Sequence, residues 1–381
     1  MIATPRTRHL KIGFLLAAVV LFAAAIAPSK ARAGSVALAA GGTDGSGVLS
    51  SAETFDSITG SFTTTGDMSD ARFLTTATTL KNKRVLIVGG LGAAFAALDT
   101  AELYNPKTRK FSPTGSLAAP RDNHSATLLK DGMVLIAGGR NGGGVLDSAE
   151  VYDPKTGHFS STGSMTTPRT EHTATLLDDG RVLIAGGFDG ATILKSAEVY
   201  SPKSGTFKAV GDMMTPRDFF AASRLASQFV LLTGGHNGTT AHVGSAEIFD
   251  PPTNTFRKTT GDMVVARDFH ASILIHGGKV LIVGGEAPGA TASAELYVPK
   301  TDSFVATGSM TTARDDFLIA PVPGGVLVGG GFSTMGRVLS AEIYNTKTGK
   351  FSAVGDMKAQ RSCGVAAPLK SAMSAIAPAC D

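Results

Sequence analysis

The sequence predicts an all-β fold made of seven repeated units, each of four short antiparallel strands. Three observations carry this. A Gly-Gly pair recurs every 45 to 50 residues, its first glycine at Gly41, Gly89, Gly138, Gly186, Gly234, Gly284 and Gly329. Each pair is followed by Ala-Glu, with the acid at Glu53, Glu102, Glu150, Glu198, Glu247, Glu295 and Glu342. No stretch of the repeats shows the 3.6-residue apolar period that an amphipathic helix requires. A composition of 43% hydrophobic and 17% charged residues supplies enough apolar material for a core and too little charge for disorder.

The elements follow in chain order. Residues 1–33 stand apart: Arg6, Arg8 and Lys11 precede a mainly apolar stretch from Ile12 to Ala27, and Ala31-Arg32-Ala33 supplies a small-x-small cleavage pattern. The apolar stretch is shorter than the ~20 residues that span a bilayer as a helix, so a cleaved secretory leader is expected, and no membrane span after cleavage. No Cys lies near residue 33 to carry a lipid, and Thr7 separates the two arginines that a twin-Arg signal would pair. The mature chain is expected to be periplasmic or extracellular. Without the leader, 30 basic residues face 31 acidic ones. The pI of about 9.0 therefore belongs largely to the leader, and nucleic-acid binding, which needs a basic footprint, is not expected.

Within residues 34–369 the fourth unit shows the pattern. "HTATLL" and "RVLIAGG" are joined at Asp178-Asp179-Gly180, a tight hairpin signal; "SAEVYSP" follows, and Lys203-Ser204-Gly205 turns the chain into "TFKAVG". An aromatic stands two residues after each Glu, at Phe55, Tyr104, Tyr152, Tyr200, Phe249, Tyr297 and Tyr344. A Phe recurs in the last strand from Phe62 to Phe351, and an Arg ends each unit at Arg72, Arg121, Arg169, Arg217, Arg267, Arg314 and Arg361. The glycine pair is not a phosphate loop, because a strand rather than a helix N-terminus follows it. It is expected to provide positive φ and close backbone approach at a strand end. Cys363 and Cys380 are expected to form a disulfide that pins the tail at residues 370–381.

"PRTEHTATLLDDGRVLIAGGFDGATILKSAEVYSPKSGTFKAVGDM" resembles a kelch repeat, the blade of kelch β-propellers, and the likeness extends over about residues 35–369. The resemblance implies one four-stranded blade per unit around a central channel. The family's usual Trp in the last strand is absent, since the chain has no Trp, and Phe stands there in all seven units. At the ends, "SVALAAGG" is a second strand lacking its first, and "SCGVAAPL" is a first strand lacking its second. A seven-bladed ring is therefore expected, its closing blade built from one C-terminal and three N-terminal strands.

Secreted kelch propellers include copper oxidases of the galactose oxidase type, whose resemblance would imply a site of two His, two Tyr and a Tyr crosslinked to Cys. All five tyrosines here occupy one repeat position and both cysteines lie near the end, so neither copper nor another cofactor is expected. His124, His172 and His270 lie three residues after the unit Arg; a ring of metal ligands is conceivable, but Thr75, Phe220, Phe317 and Gly364 stand there in the other units, as at a packing position. The uniform Arg and Glu are read as ion pairs tying blades together rather than as catalysts.

Function should lie where the units differ. The loop after each glycine pair and the segment after each Arg both follow even-numbered strands and so emerge on one face, which kelch propellers commonly use for binding, as the resemblance implies. The candidate ligand-binding residues are Asn123, Arg140, Asn141, Glu171, Asp189, Phe219, His236, Asn237, Phe269, Glu286 and Asp316, with Asp44 and Asp315 nearby. Aromatics beside carboxylates and amides suit a sugar or a peptide, although Phe219, Phe220 and Phe269 equally suit a packed plug. "NHS" at Asn123 and "NGT" at Asn237 fit the glycosylation sequon. The leading expectation is a non-catalytic, monomeric scaffold for a protein or glycan. The alternative is a carbohydrate-active enzyme such as a kelch-type sugar mutarotase or isomerase, with Glu171 and Arg140, or Asp189, as acid and base.

Overall fold

The structure, a computed structural model, describes residues 35–238 and 242–369. The expected leader, the tail and Cys380 lie outside these residues, and with them the expected disulfide; Cys363 itself is buried beside Phe73 and Leu74. Seven four-stranded antiparallel sheets form a ring, and no helix occurs among the described residues. Blade 1 holds residues 35–64 with Val365–Pro368; blades 2 to 7 hold residues 76–113, 125–161, 173–209, 221–258, 271–306 and 318–353.

In blade 4 the strands run Thr173–Leu176, Val182–Ala185, Ala197–Ser201 and Thr206–Ala209, in sheet order from the axis outward. The first turn closes through Leu177 N–H to the Arg181 carbonyl at 2.8 Å, with Gly180 at φ +93°. The last turn closes through Gly205 N–H to the Ser201 carbonyl at 2.9 Å, with Gly205 at φ +64°. Both turns use glycine where L residues are strained.

The ring closes as its end sequences require. Val365–Pro368 pairs antiparallel with Ser35–Ala40, Val365 opposite Ala40 and Pro368 opposite Ala37. One C-terminal and three N-terminal strands thus complete blade 1.

The second strands read as unbroken aliphatic runs because both of their faces are packed. Val85 and Ile87 face blade 1, in a cluster with Leu38 and Ala40, whereas Leu86 and Val88 face blade 3, with Val134 and Ile136. One such cluster fills each of the seven interfaces. The missing indole is replaced by a cross-strand pair: Tyr200 and Phe207 have ring centroids 4.8 Å apart, and an equivalent pair occurs in every blade, from Phe55–Phe62 to Tyr344–Phe351. Tyr200 Oη lies 2.9 Å from Thr162 Oγ1 of blade 3, and Glu198 on the same strand face accepts from Thr166 N–H, so both residues reach toward the preceding blade.

The glycine pairs do what their position demands. A Cβ on Gly186 would stand 2.5 Å from the Arg217 carbonyl oxygen, and one on Gly187 would stand 2.3 Å from that of Thr170. One register needs correction. In blade 7 the pair is Gly330-Gly331, at φ +66° and +88°, while Gly329 ends the second strand. "VGGG" offers two glycine pairs, and only the second places a glycine carbonyl under Arg314.

The loops after the second strands and the segments after the arginines share one end of the ring, here called the loop face; Thr170 and Phe188, for instance, bridge there. The opposite face carries the hairpin turns, with exposed lysines recurring at Lys107, Lys155, Lys203, Lys300 and Lys347. Residues 35 and 369 both lie on that opposite face, because Ala37 pairs with Pro368 there.

Candidate functional site

Each unit builds the channel mouth on the loop face in four steps, starting from the arginine. Arg169 is fully buried; its Nη1 donates to the carbonyls of Gly186 and Ser196, and its Nη2 donates to Ser196 Oγ and to Glu198 Oε1 at 3.1 Å. Glu198 in turn accepts from Thr166 and Thr167 N–H on the segment arriving from blade 3. The expected pairing of Arg and Glu recurs in all seven blades, at 2.8 to 3.3 Å. Each pair joins the incoming segment to the third strand of the blade it enters. The Arg169 carbonyl accepts from Gly139 N–H of blade 3, so main chain and side chain of one residue hold two successive blades.

The residue after the arginine bridges to the residue after the glycine pair, as in Asp218–His236 and Asp268–Glu286. The next residue is left-handed in every blade: Leu74, Asn123, Glu171, Phe219, Phe269, Asp316 and Cys363 have φ between 48° and 58°. For non-glycine residues this conformation costs of order 1–3 kcal/mol each, and surrounding structure must impose it. Here the backbone is held around the ring: Cys363 N–H donates to the Asp316 carbonyl, Leu74 to Cys363, Asn123 to Leu74, Glu171 to Asn123, and Phe269 to Phe219.

The third residue after the arginine sits beneath the first glycine of the preceding blade. The His172 ring lies where a Gly138 Cβ would fall, and Phe220 does the same at Gly186. His124 Nε2 lies 2.9 Å from Thr76 Oγ1, His172 Nε2 2.9 Å from Ser125 Oγ, and His270 Nε2 2.9 Å from Thr233 Oγ1. Burial pushes His124 and His172 down to about 3 and His270 well below its ordinary value, so these rings are neutral packing groups. No group of three or more His, Cys, Asp or Glu suited to a metal ion occurs among the described residues. The tyrosine hydroxyls are engaged within the ring, Tyr104, Tyr152, Tyr200 and Tyr344 with threonines and Tyr297 with Asp302.

The candidate residues fall into groups. Asn123, Arg140 and Glu171 come together: Asn123 Nδ2 donates to Glu171 Oε1 at 3.4 Å, and Arg140 lies 3.1 Å from Asp122 Oδ1 and 3.6 Å from Glu171 Oε1. Phe219 and Phe269 stack with centroids 4.3 Å apart and planes at 28°. They form part of the mouth itself, whereas Phe220 is core between blades 4 and 5. His236 and Glu286 flank the next two blades, with Asn237 in the loop beside His236 and Asp316 in the left-handed ring.

Asn141 and Asp189 do not join this site. Asn141 shapes its loop, donating to the Pro120 carbonyl and accepting from Gly143 N–H. Asp189 accepts from Thr192 and Ala191 N–H, and these turn hydrogen bonds hold its carboxyl below the usual range, which unsuits it as a catalytic acid. Asp44 is held down in the same way by Ser46.

Three residues of the site were missed in the sequence. Asp122, Asp218 and Asp268 directly follow the unit arginine, and that Arg-Asp dipeptide reads as repeat rather than as site. Burial raises Asp218 and Asp268 to about 6. Asp315 is likewise raised to about 6, by burial and by the nearby charges of Glu286 and Asp268. The mouth is therefore polarised. Blades 5 to 7 present carboxylates, while blades 1 and 2 present an apolar arc of Phe73, Leu74, Cys363, Val48 and Leu91.

Two segments, residues 123–166 and 169–214, match the family model of the Kelch motif. No curated protein matches the chain. Among solved structures, one titled "Structure of YjhT" is similar at 14% identity with a TM-score of 0.59, covering 74% of this chain and 97% of that one. At that identity the likeness speaks for the fold.

Proposed function

We propose that this propeller, which carries Kelch motifs, is an exported, non-catalytic interaction scaffold that binds a protein or glycan through the loop face. One observation supports the reading above the others. The Arg and Glu that repeat in every blade are turned inward on one another, each Arg also donating to two carbonyls, while unlike side chains gather at the seven left-handed positions of the mouth. Repetition makes the frame, and difference makes the recognition surface.

The test is a thermal-shift screen of the purified chain against mono- and oligosaccharides and short peptides, beside a Glu171→Gln/Phe219→Ala variant. A saturable shift lost in the variant supports the reading; shifts retained in the variant oppose it.

A specific observation keeps a second reading in play. Three carboxyls near 6 on blades 5 to 7, on the same loop face as the Arg140–Glu171 pair, suit proton exchange with a sugar, as in a mutarotase or isomerase. Polarimetry of anomer interconversion with any sugar that gives a shift separates an enzyme from a binder.

A further inference from the structure

We propose that the mouth over blades 5 to 7 receives a cationic side chain, the guanidinium or ammonium group of a basic peptide, seated between the Phe219–Phe269 stack and the carboxylates of Asp218, Asp268, Glu286 and Asp315. The inference rests on the loop face being a binding surface and narrows what that surface takes.

The carboxylates of this arc are under-satisfied. Asp218 and Asp268 are each only 4% exposed, and Oδ1 of each is approached by a single imidazole nitrogen. The nearest basic atoms are His236 Nδ1 at 3.4 Å and His242 Nδ1 at 3.2 Å, and these imidazoles carry charge only when protonated. Glu286 and Asp315, half-buried beside them, have no side-chain hydrogen bond or ion pair among the described residues. A buried carboxylate without a donor is costly, and a fixed cation is the partner that relieves it.

Two arginines at the mouth are committed elsewhere. Arg140 is held by Asp122 and Glu171, and Arg337 lies over the Phe332 ring while bonding to Ser362 and Thr43. The aromatic stack adds a π face at the edge of the carboxylate arc, an arrangement that suits a desolvated ammonium or guanidinium. A bare metal ion fits less well, since no metal-suited cluster of His, Cys, Asp or Glu occurs among the described residues.

The experiment is isothermal titration of the purified full chain with end-blocked tetrapeptides carrying arginine, lysine or the neutral isostere citrulline, with spermidine as a non-peptide cation. The expected result is saturable binding of the arginine or lysine peptide, weaker by about tenfold or more for citrulline. Affinity should fall with added salt, and should fall as pH drops through about 6, where Asp218, Asp268 and Asp315 take up protons beside Glu286, His236 and His242. The Glu286→Gln/Asp315→Asn variant should lose about tenfold in affinity with a melting temperature no lower than the parent's, because neither side chain holds the fold and removing their charge relieves the burial of Asp315 and the repulsion around Asp268. Binding of spermidine as tightly as the peptides would reassign the site to free polyamines and overturn the peptide assignment. Equal binding of citrulline, or no loss in the variant, overturns the cation inference. If sugars or neutral peptides shift the chain through Phe219 while no cation binds, the scaffold reading stands and this inference falls; if nothing binds the loop face, both fall.

Discussion

Arg169 donates to Glu198 at 3.1 Å with both side chains shielded from water, and the same residue's carbonyl takes the N–H of Gly139 in the preceding blade. A buried ion pair is weak evidence for stability, but breaking one leaves a buried charge alone. Arg169→Gln and Glu198→Gln should each cost about 3–5 kcal/mol, read as a fall in unfolding free energy by denaturant titration. The double variant should cost less than the two single losses combined, because the partners share one interaction. Single variants as stable as the parent would show the pair to be ornamental.

Gly187 has φ +90° and no room for a methyl, with the Thr170 carbonyl oxygen 2.3 Å from its notional Cβ. Gly187→Ala should destabilise by about 2 kcal/mol or more, since strain and clash act together. Gly142, exposed in its loop with nothing within 4 Å of a Cβ, is the matched control. Its alanine variant should lie within about 0.5 kcal/mol of the parent.

The buried histidines set an acid limb. For His124 and His172 the folded value, about 3, lies below the unfolded value of about 6.5, so the unfolded chain binds more protons between those limits. Their contribution is present above pH 6.5 and is lost as pH falls, at about 1.4 kcal/mol per pH unit for each ring. His124→Phe places at this position the residue that Phe220 and Phe317 supply in other blades. It should cost about 1 kcal/mol at pH 7 through the lost Thr76 contact, and the deficit should shrink or reverse by pH 4.5. Denaturant curves at the two pH values decide it.

Asp268 works in the other direction. Its folded value of about 6 lies above the unfolded value near 3.9, so its contribution is present below pH 4 and is lost as pH rises through 6. Asp218, Glu286 and Asp315 add negative charge around it, and His236 and His242 offset part of that charge. Asp268→Asn should therefore raise the melting temperature at pH 8 and leave it unchanged at pH 4. A lower melting temperature at pH 8 would mean that the His242 contact outweighs desolvation.

The ring was legible in the sequence because each rule was stated seven times. Gly-Gly, Ala-Glu and the closing Arg stay in phase from Gly41 to Arg361, and even the joining of the ends could be read from two half-units. The loop face was legible too, since strand direction alone fixes which segments share an end. The left-handed ring was not. Leu74, Glu171, Phe219 and Cys363 have no preference for positive φ, and only hydrogen bonds around the circle impose it. Asp218 and Asp268 were hidden by their adjacency to a structural arginine, and Asp189 looked available until its turn claimed both carboxylate oxygens. Gly329 was misassigned because three consecutive glycines carry no phase.

The pairing of Ala39 with Ala366 sets an order in time. Blade 1 has its outer three strands made before blades 2 to 7 and its inner strand made after them, so Ser35–Ala40 must keep an unpaired edge while six further blades are made. Such an edge invites pairing with other chains. A newly made molecule should consequently depend on chaperone protection until residue 368 has emerged, and a chain cut short before Val365 should aggregate even though blades 2 to 7 are complete.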